Sequence, residues 1–199
     1  MSRQATATMG PRDRILSAAT GLFYEEGVHV GINRVIARAD VTPTTLYRHF
    51  SSKDELVAAA LERWSDGWLR WLRDRLDQRS QAGEVRMAVL WDALDEWFAT
   101  AGFRGSFVAN AATELCGRPD HPAQRVIAEH RMALRRLLED LARRAGAHEP
   151  SALAADLQLL LDGAVAMATV DHLPGIVSGA RGLGSSAAQR QLELAVTGS

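Results

Sequence analysis

Between Thr44 and Lys53 the chain reads Thr-Thr-Leu-Tyr-Arg-His-Phe-Ser-Ser-Lys, a run of hydrogen-bond donors and methyl groups without an acid. Leu46 and Phe50 lie four apart and share one helix face, which leaves Thr44, Thr45, Tyr47, Arg48 and His49 for the outer and flanking faces. Arg48 has the planar fork that bridges a guanine edge, and threonine methyls suit the methyl of thymine. Lys53 opens the next helix, where a cation and the positive end of the helix dipole together favour phosphate. A helix from Thr44 to Phe50 spans about 10 Å at 1.5 Å per residue, short enough for a major groove roughly 12 Å wide. The chemistry these residues can do is recognition of double-stranded DNA.

Such a helix must be held at a fixed angle by its neighbours. Thr42 can cap its exposed N–H groups, and Pro43 is pre-shaped for its first position. Upstream, Ile15, Ala18, Ala19, Leu22 and Phe23 form the apolar stripe of a helix after Pro11, which Gly27 ends in a left-handed cap. Ile32, Val35, Ile36 and Ala39 mark a second helix, followed by a break at Asp40, a residue that tolerates a left-handed turn. Three short helices with a tight turn between the second and third make the smallest scaffold that presents a helix to a groove. Downstream, Ser52-Lys53-Asp54-Glu55 reads as a capping box that launches a long fourth helix through Trp64, Trp68 and Leu72. Beyond a break at 79–83, helices are expected at about 84–101, 106–116, 120–145, 151–172 and 184–197, separated by glycines and prolines. The fold class is all-α, with about nine helices. Residues 1–10 read as a flexible arm, 11–56 as a helix-turn-helix domain, and 57–199 as a helical ligand-binding and dimerisation domain.

Composition agrees. An apolar fraction of 47% over 199 residues is enough for a packed core. The net charge of −1 hides an asymmetry: residues 1–53 carry seven Arg/Lys against four acids, net +3, and the remainder 16 against 20, net −4. The basic end suits a polyanion. No run approaches the roughly 18 apolar residues of a membrane span, and the N-terminus has no apolar signal region, so the expected location is the cytoplasm. A single cysteine, Cys116, excludes an internal disulfide and a multi-thiolate zinc site. The histidines show no metal-ligand spacing, so no cofactor is expected apart from a small-molecule effector.

Arg14-Ile15-Leu16-x-Ala18-Ala19-x-x-Leu22-Phe23-x-x-x-Gly27, then Ile32 and Val35 to Ala39, then Val41-Thr42-Pro43-Thr44-Thr45-Leu46-Tyr47-Arg48-His49-Phe50-x-x-Lys53-x-x-Leu56, resembles the DNA-binding domain of the TetR family over about 45 residues. The resemblance implies that Thr44, Thr45 and Arg48 face bases, while Tyr47, His49 and Lys53 hold the phosphate backbone, with Thr42 and Pro43 opening the reading helix beside it. Where the family often has Ser or Thr opening helix two this chain has Gly31, so Asn33 or Arg34 is expected to make the phosphate contact there. Where the family often has Gly at the turn, this chain has Asp40. A homodimer on a palindromic operator, and repression relieved by an effector, are what the resemblance implies for the whole protein.

The C-terminal half resembles the family less closely. Met87, Leu90, Trp91, Leu94, Trp97, Phe98 and Ala101 form a wide apolar stripe. The segment from Gly105 to Glu114 looks like the Gly-Cys-x-x-x-Asn-Ala-Ala-x-Glu stretch of one TetR subset, with Ser106 for Cys. Asn110 and Glu114 share a helix face and either anchor neighbouring backbone or supply the polar contacts of an apolar pocket. Trp91, Phe98, Phe107, Asn110, Glu114, His130 and Met167 are the candidate pocket residues. The helix with Leu157, Leu160, Leu161, Gly163, Ala164, Val165 and Ala168 is too apolar for a solvated face, and with the last helix it resembles the family's four-helix dimer interface. Two other classes are disfavoured. A helical-bundle enzyme would need Glu-x-x-His pairs on facing helices, whereas Glu129 directly precedes His130 and no second set exists. A non-specific DNA scaffold would be far more basic.

Overall fold

The computed structural model describes residues 9–78, 84–171 and 176–197, so residues 1–8 of the expected arm and the breaks at 79–83 and Pro174-Gly175 lie outside it. The described residues form helices and no strands: α1 Pro11–Glu26, α2 Ile32–Ala39, α3 Pro43–His49, α4 Lys53–Gln78, α5 Glu84–Phe98, α6 Phe107–Glu114, α7 Ala123–Ala145, α8 Pro150–Asp171 and α9 Ile176–Thr197. They divide into two compact units, Met1–Asp66 with Ser106–Glu129, and Gly67–Gly105 with His130–Ser199. The expected 11–56 domain lies inside the first unit, which also takes in the start of α4, all of α6 and the first turns of α7.

In the first unit α1 begins with Pro11 at its N-terminus and Asp13 in its first turn, both favourable there, and buries Ile15, Leu16, Ala18, Ala19, Leu22 and Phe23. Gly27 closes it, its N–H bonded to the carbonyl of Phe23 at 3.0 Å. Its φ of 99° and ψ of 162° are not the left-handed cap the sequence suggests but an extended positive-φ conformation. A side chain there would collide with His29 and with the carboxylate of Glu114, so glycine is required twice over. Asp40, by contrast, adopts the expected left-handed turn, φ 51° and ψ 58°. The core of this unit joins Phe23, Val35, Leu46, Phe50, Leu56 and Leu61 to Phe107, Val108 and Ala111 of α6 and to Val126 and Ile127 of α7. Tyr24, Trp64 and Phe107 meet ring to ring at 6.1–6.3 Å within it.

The second unit buries Leu72, Leu90, Trp91, Leu94, Leu138, Leu157 and Leu161, with α9 packed on α8 and α5. α9 starts eight residues earlier than the glycine-rich sequence implies, because Gly179 and Gly182 are helical as well. Gly184 has a packing reason: a β-carbon there would overlap the indole of Trp91 on α5. α8 also differs from the sequence reading. By length and composition Pro150–Val170 is apolar enough to cross a bilayer, and less than half of that window is buried within the subunit. Its outward residues include Leu159, 74% exposed, and Val170, 77% exposed.

Candidate nucleic-acid interface

The reading helix α3 is fixed from beneath and capped at its start. Leu46 is fully buried and Phe50 nearly so, while Thr42, Pro43, Thr44, Tyr47 and Arg48 are exposed and Thr45 and His49 half-buried. The Thr42 hydroxyl accepts the N–H of Thr45 at 3.2 Å and lies 2.9 Å from the Thr45 hydroxyl. One of the two hydroxyls therefore spends its proton on the other, and Thr45 keeps its methyl for contact. Tyr47 is 53% exposed, an unusual cost for so large a ring on a helix with a single buried face. No acid among the described residues pairs with Arg48, so its guanidinium is available.

At the C-terminal end of α3, Nε2 of His49 is buried without a hydrogen-bond partner. Such an orphan polar atom is costly alone, and with the ring proton on Nε2 it is satisfied by an acceptor brought from outside, as a phosphate oxygen would be. Lys53 follows one turn on. Its ammonium is held below the usual lysine range, first by partial burial and also by Arg118, against the pull of Asp54 and Glu114. A desolvated cation of this kind gains more from a phosphate than a fully hydrated one. The capping of α4 is close to expectation: Ser52 Oγ accepts the N–H of Glu55 at 3.0 Å. The Glu55 carboxylate returns not to Ser52 but to Ser51, taking its N–H at 2.7 Å.

Two expected phosphate contacts on α2 fare differently. Asn33 is exposed. Arg34 is occupied by a bidentate pairing with Glu26 of α1, its Nη2 at 2.8 Å from Oε1, and Arg38 pairs in the same way with Glu25 at 2.8 and 3.0 Å. These pairs fasten α2 to α1, and DNA would have to compete with Glu26 for Arg34. Arg12 lies outside the sequence-derived set. Its guanidinium stands over the Phe50 ring at 5.3 Å, exposed and adjacent to the end of α3. Only the fold brings position 12 next to position 50.

The candidate pocket residues do not fall in one place in the chain's organisation. Phe107, Asn110 and Glu114 belong to the first unit, and Trp91, Phe98, His130 and Met167 to the second. Phe107 is buried against Tyr24 and Trp64. Glu114 has a structural engagement: Oε2 accepts the Val28 N–H at 3.0 Å and lies 3.3 Å from His29 Nδ1, tying α6 to the α1–α2 turn. A second tie joins the α6–α7 loop to the start of α4, where Asp54 takes Arg118 at 2.5 Å and His121 Nε2 at 3.3 Å. His121 Nδ1 accepts the Ala123 N–H at 3.0 Å, so the proton of the neutral ring sits on Nε2, facing Asp54. In the second unit Trp68, Trp97, Phe98 and Phe103 form a connected aromatic group with ring spacings of 5.0–5.7 Å, and His130 lies 5.7 Å from Trp68. Burial, with a smaller push from Arg131, lowers the His130 imidazole to about 4. Met167 is half-exposed.

Residues 15–60 match the family of bacterial regulatory proteins of the tetR type. Over 66 residues, 33% of this chain, the sequence is 39% identical to the HTH-type transcriptional activator FasR of Mycolicibacterium smegmatis. Over 62 residues it is 37% identical to the HTH-type transcriptional regulator UidR of Escherichia coli K12. These matches span 30% and 32% of the relatives' own lengths. Across nearly the whole chain, the fold superposes on SCO4454, a TetR-family transcriptional regulator from Streptomyces coelicolor, with a TM-score of 0.82 and 31% identity, covering 92% of this chain and 96% of that one. The chain belongs to the TetR family of transcriptional regulators. The fold also superposes on the reduced form of NemR from Escherichia coli, with a TM-score of 0.78 and 18% identity, covering 88% of this chain and 95% of that one. As a TetR-family member the chain is a DNA-binding regulator and not an enzyme, and α2–α3 is its helix-turn-helix.

Proposed function

We propose that this regulator is a repressor that binds a near-palindromic operator as a homodimer in the cytoplasm and is released by a small apolar effector. The observation that carries the DNA reading is the division of α3, with Leu46 and Phe50 inward and Thr44, Tyr47 and Arg48 outward. One seven-residue helix reads too few base pairs to find a single genomic address, so two copies are needed, their reading helices about 34–36 Å apart. The surface of α8 and α9 supports the dimer. Leu159, Gly163, Met167 and Val170 recur at helical spacing on α8, and Gly179, Leu183 and Leu194 on α9 are exposed likewise. A β-carbon added at Gly163, Gly179 or Gly182 meets nothing within 4 Å in the single subunit. Small residues among exposed apolar ones allow two helix pairs to approach closely.

The effector is assigned to the second unit, to Phe98 and His130 with the aromatic neighbours Trp68, Trp97 and Phe103 and with the buried Trp91 of the same unit; Met167, half-exposed in line with Leu159 and Val170, belongs to the proposed subunit surface instead. A histidine neutral above about pH 4 amid rings supplies one hydrogen-bonding group in an otherwise apolar surround, the make-up of a site for a largely apolar ligand. Glu114 and Phe107 already serve the first unit, to which Asn110 also belongs, so the assignment rests on the others. α4 starts with Lys53 in the DNA-reading unit and runs into the second, giving a continuous helix along which a ligand-induced tilt reaches the head. DNase footprinting of the region flanking its own gene, with and without candidate effectors, tests the reading. A protected near-palindrome that lowers transcription supports it. Protection that raises transcription, the sign named for FasR, overturns the repressor assignment, and absence of any protected site overturns operator binding there.

A further inference from the structure

In the second unit a cavity of about 360 Å³ is lined by Arg131, Met132, Arg135 and Arg136 of α7 and Gln158 of α8. We propose that this groove is a binding site for a small organic anion, whose carboxylate or phosphate is held by Arg135 and Arg136 while its apolar part lies on Met132.

The charge pattern of α7 singles out these residues. The helix carries six arginines, four of which have carboxylate partners: Arg125 with Glu129, Arg143 with Glu139, Arg144 with Asp77 and Asp140, and Arg131 with Asp162 at 3.5 Å. Among the described residues no carboxylate pairs with Arg135 or Arg136. Arg135 is half-buried, and its Nε donates to Oε1 of Gln158 at 2.6 Å. Gln158 is 96% buried and belongs to α8. A buried neutral amide orients a guanidinium without neutralising it. Holding a cation part-way out of water with no carboxylate in direct contact is unfavourable, and the deficit is reduced when an anion arrives. The guanidinium fork then offers paired N–H donors suited to carboxylate and phosphate oxygens.

Asp162 neutralises only part of this charge. It faces Arg131 and, more distantly, Arg135, and burial pushes its carboxyl up against their influence. Of the three guanidinium groups that line the groove, Asp162 therefore pairs with one and acts at longer range on a second. Met132, 50% exposed, adds a flexible thioether surface beside them, which suits a short hydrocarbon portion. The volume lies within the roughly 300–1,000 Å³ of small-molecule sites. The groove shares neither Trp91, Phe98 nor His130 with the proposed effector site, so it stands apart from that assignment.

Isothermal titration of the full chain, with inorganic phosphate in one arm and hexanoate in the other, tests the site. The expected result is saturable binding of one anion per chain, weakened at least about tenfold in Arg135→Gln/Arg136→Gln and largely kept in Arg135→Lys/Arg136→Lys. Saturation by phosphate alone assigns a phosphoryl ligand, and saturation by hexanoate assigns a carboxylate with an apolar tail. The proposal is overturned if neither anion saturates by about 10 mM, or if the double glutamine variant, folded by circular dichroism, binds as tightly as the parent. It is equally overturned if that variant alters only subunit association, because the groove is then a subunit contact.

Discussion

Arg48 and Lys53 lie five residues apart, yet their surroundings assign them different work. Arg48 is exposed in the last turn of α3 without an acidic partner, whereas Lys53 is partly buried at the start of α4. Arg48→Ala is expected to relax base preference at one operator position at a cost of about 1–3 kcal/mol, and Lys53→Ala to weaken all sequences alike and lower the salt slope by about one ion. Binding titrations on operator and random DNA at several salt concentrations check this; equal losses on both DNAs for Arg48→Ala would remove its base-reading role. Glu114 works differently from both. Its carboxylate satisfies a backbone N–H of the α1–α2 turn, so Glu114→Ala should cost about 1–3 kcal/mol of stability by leaving that donor unpaired. Chemical denaturation reads the loss directly, and an unchanged midpoint would show that water replaces the carboxylate.

His130 gives the acid response a sign. Its imidazole titrates near 4 in the folded chain and near 6.5 when unfolded, so between those values the unfolded state holds more protons. The stability contributed by the neutral ring is complete above about pH 6.5 and is lost as pH falls toward 4, an amount of order 3 kcal/mol at the acid end. Burial also lowers His121, which adds in the same direction. Denaturation midpoints measured from pH 7 to pH 4 should fall in the parent and fall less in His130→Gln. A parallel decline in both proteins would mean that other groups dominate.

At the scale of elements, the glycines of the last two helices separate packing from open surface. Alanine is the better helix residue by about 1 kcal/mol wherever there is room. Gly184→Ala has no room: it pushes α9 off Trp91, and overpacking of about 1–3 kcal/mol outweighs the helix gain. Gly163→Ala on α8 meets nothing in the subunit and should stabilise the isolated fold. If α8 packs against a second copy there, the same change weakens association. Thermal unfolding paired with sedimentation separates the two effects, and stabilisation without any weakening of assembly would place Gly163 outside the interface.

For the whole molecule, the exposed apolar surface of α8 and α9 decides whether the proposed dimer exists. Leu159→Glu places a charge in that stripe, where burial in an interface costs several kcal/mol. The expected outcome is a folded monomer that has lost operator affinity while keeping weak, salt-sensitive binding to any DNA. A Leu159→Glu protein with parent mass in light scattering would move the interface elsewhere. Linkage sets a further requirement. An effector that weakens operator binding a hundredfold must itself be bound a hundredfold more weakly on DNA, about 2.7 kcal/mol of coupling.

Local signals sufficed for the reading head. Pro11, Asp40, Thr42-Pro43 and Ser52–Glu55 are start and stop residues whose effects are exerted within one turn, so the helices they bound are legible in order and nearly in length. The period of Leu46 and Phe50 likewise settled which side of α3 faces out, because a short helix with one buried face leaves no alternative. The sequence could not carry the last helix back through Gly179 and Gly182 to Ile176, nor give Gly184 its reason, which is an indole 93 positions away. Nor could it choose between anchor and ligand contact for Glu114, 86 residues from the backbone N–H it accepts, or set Arg12 beside Phe50. Nothing in the sequence signalled that Glu26 pairs with Arg34 across two helices, so that DNA would have to compete for it. Capping and periodicity are encoded by neighbours in the chain; the pairing of charges and the filling of space depend on neighbours across it, which exist only once the helices have packed.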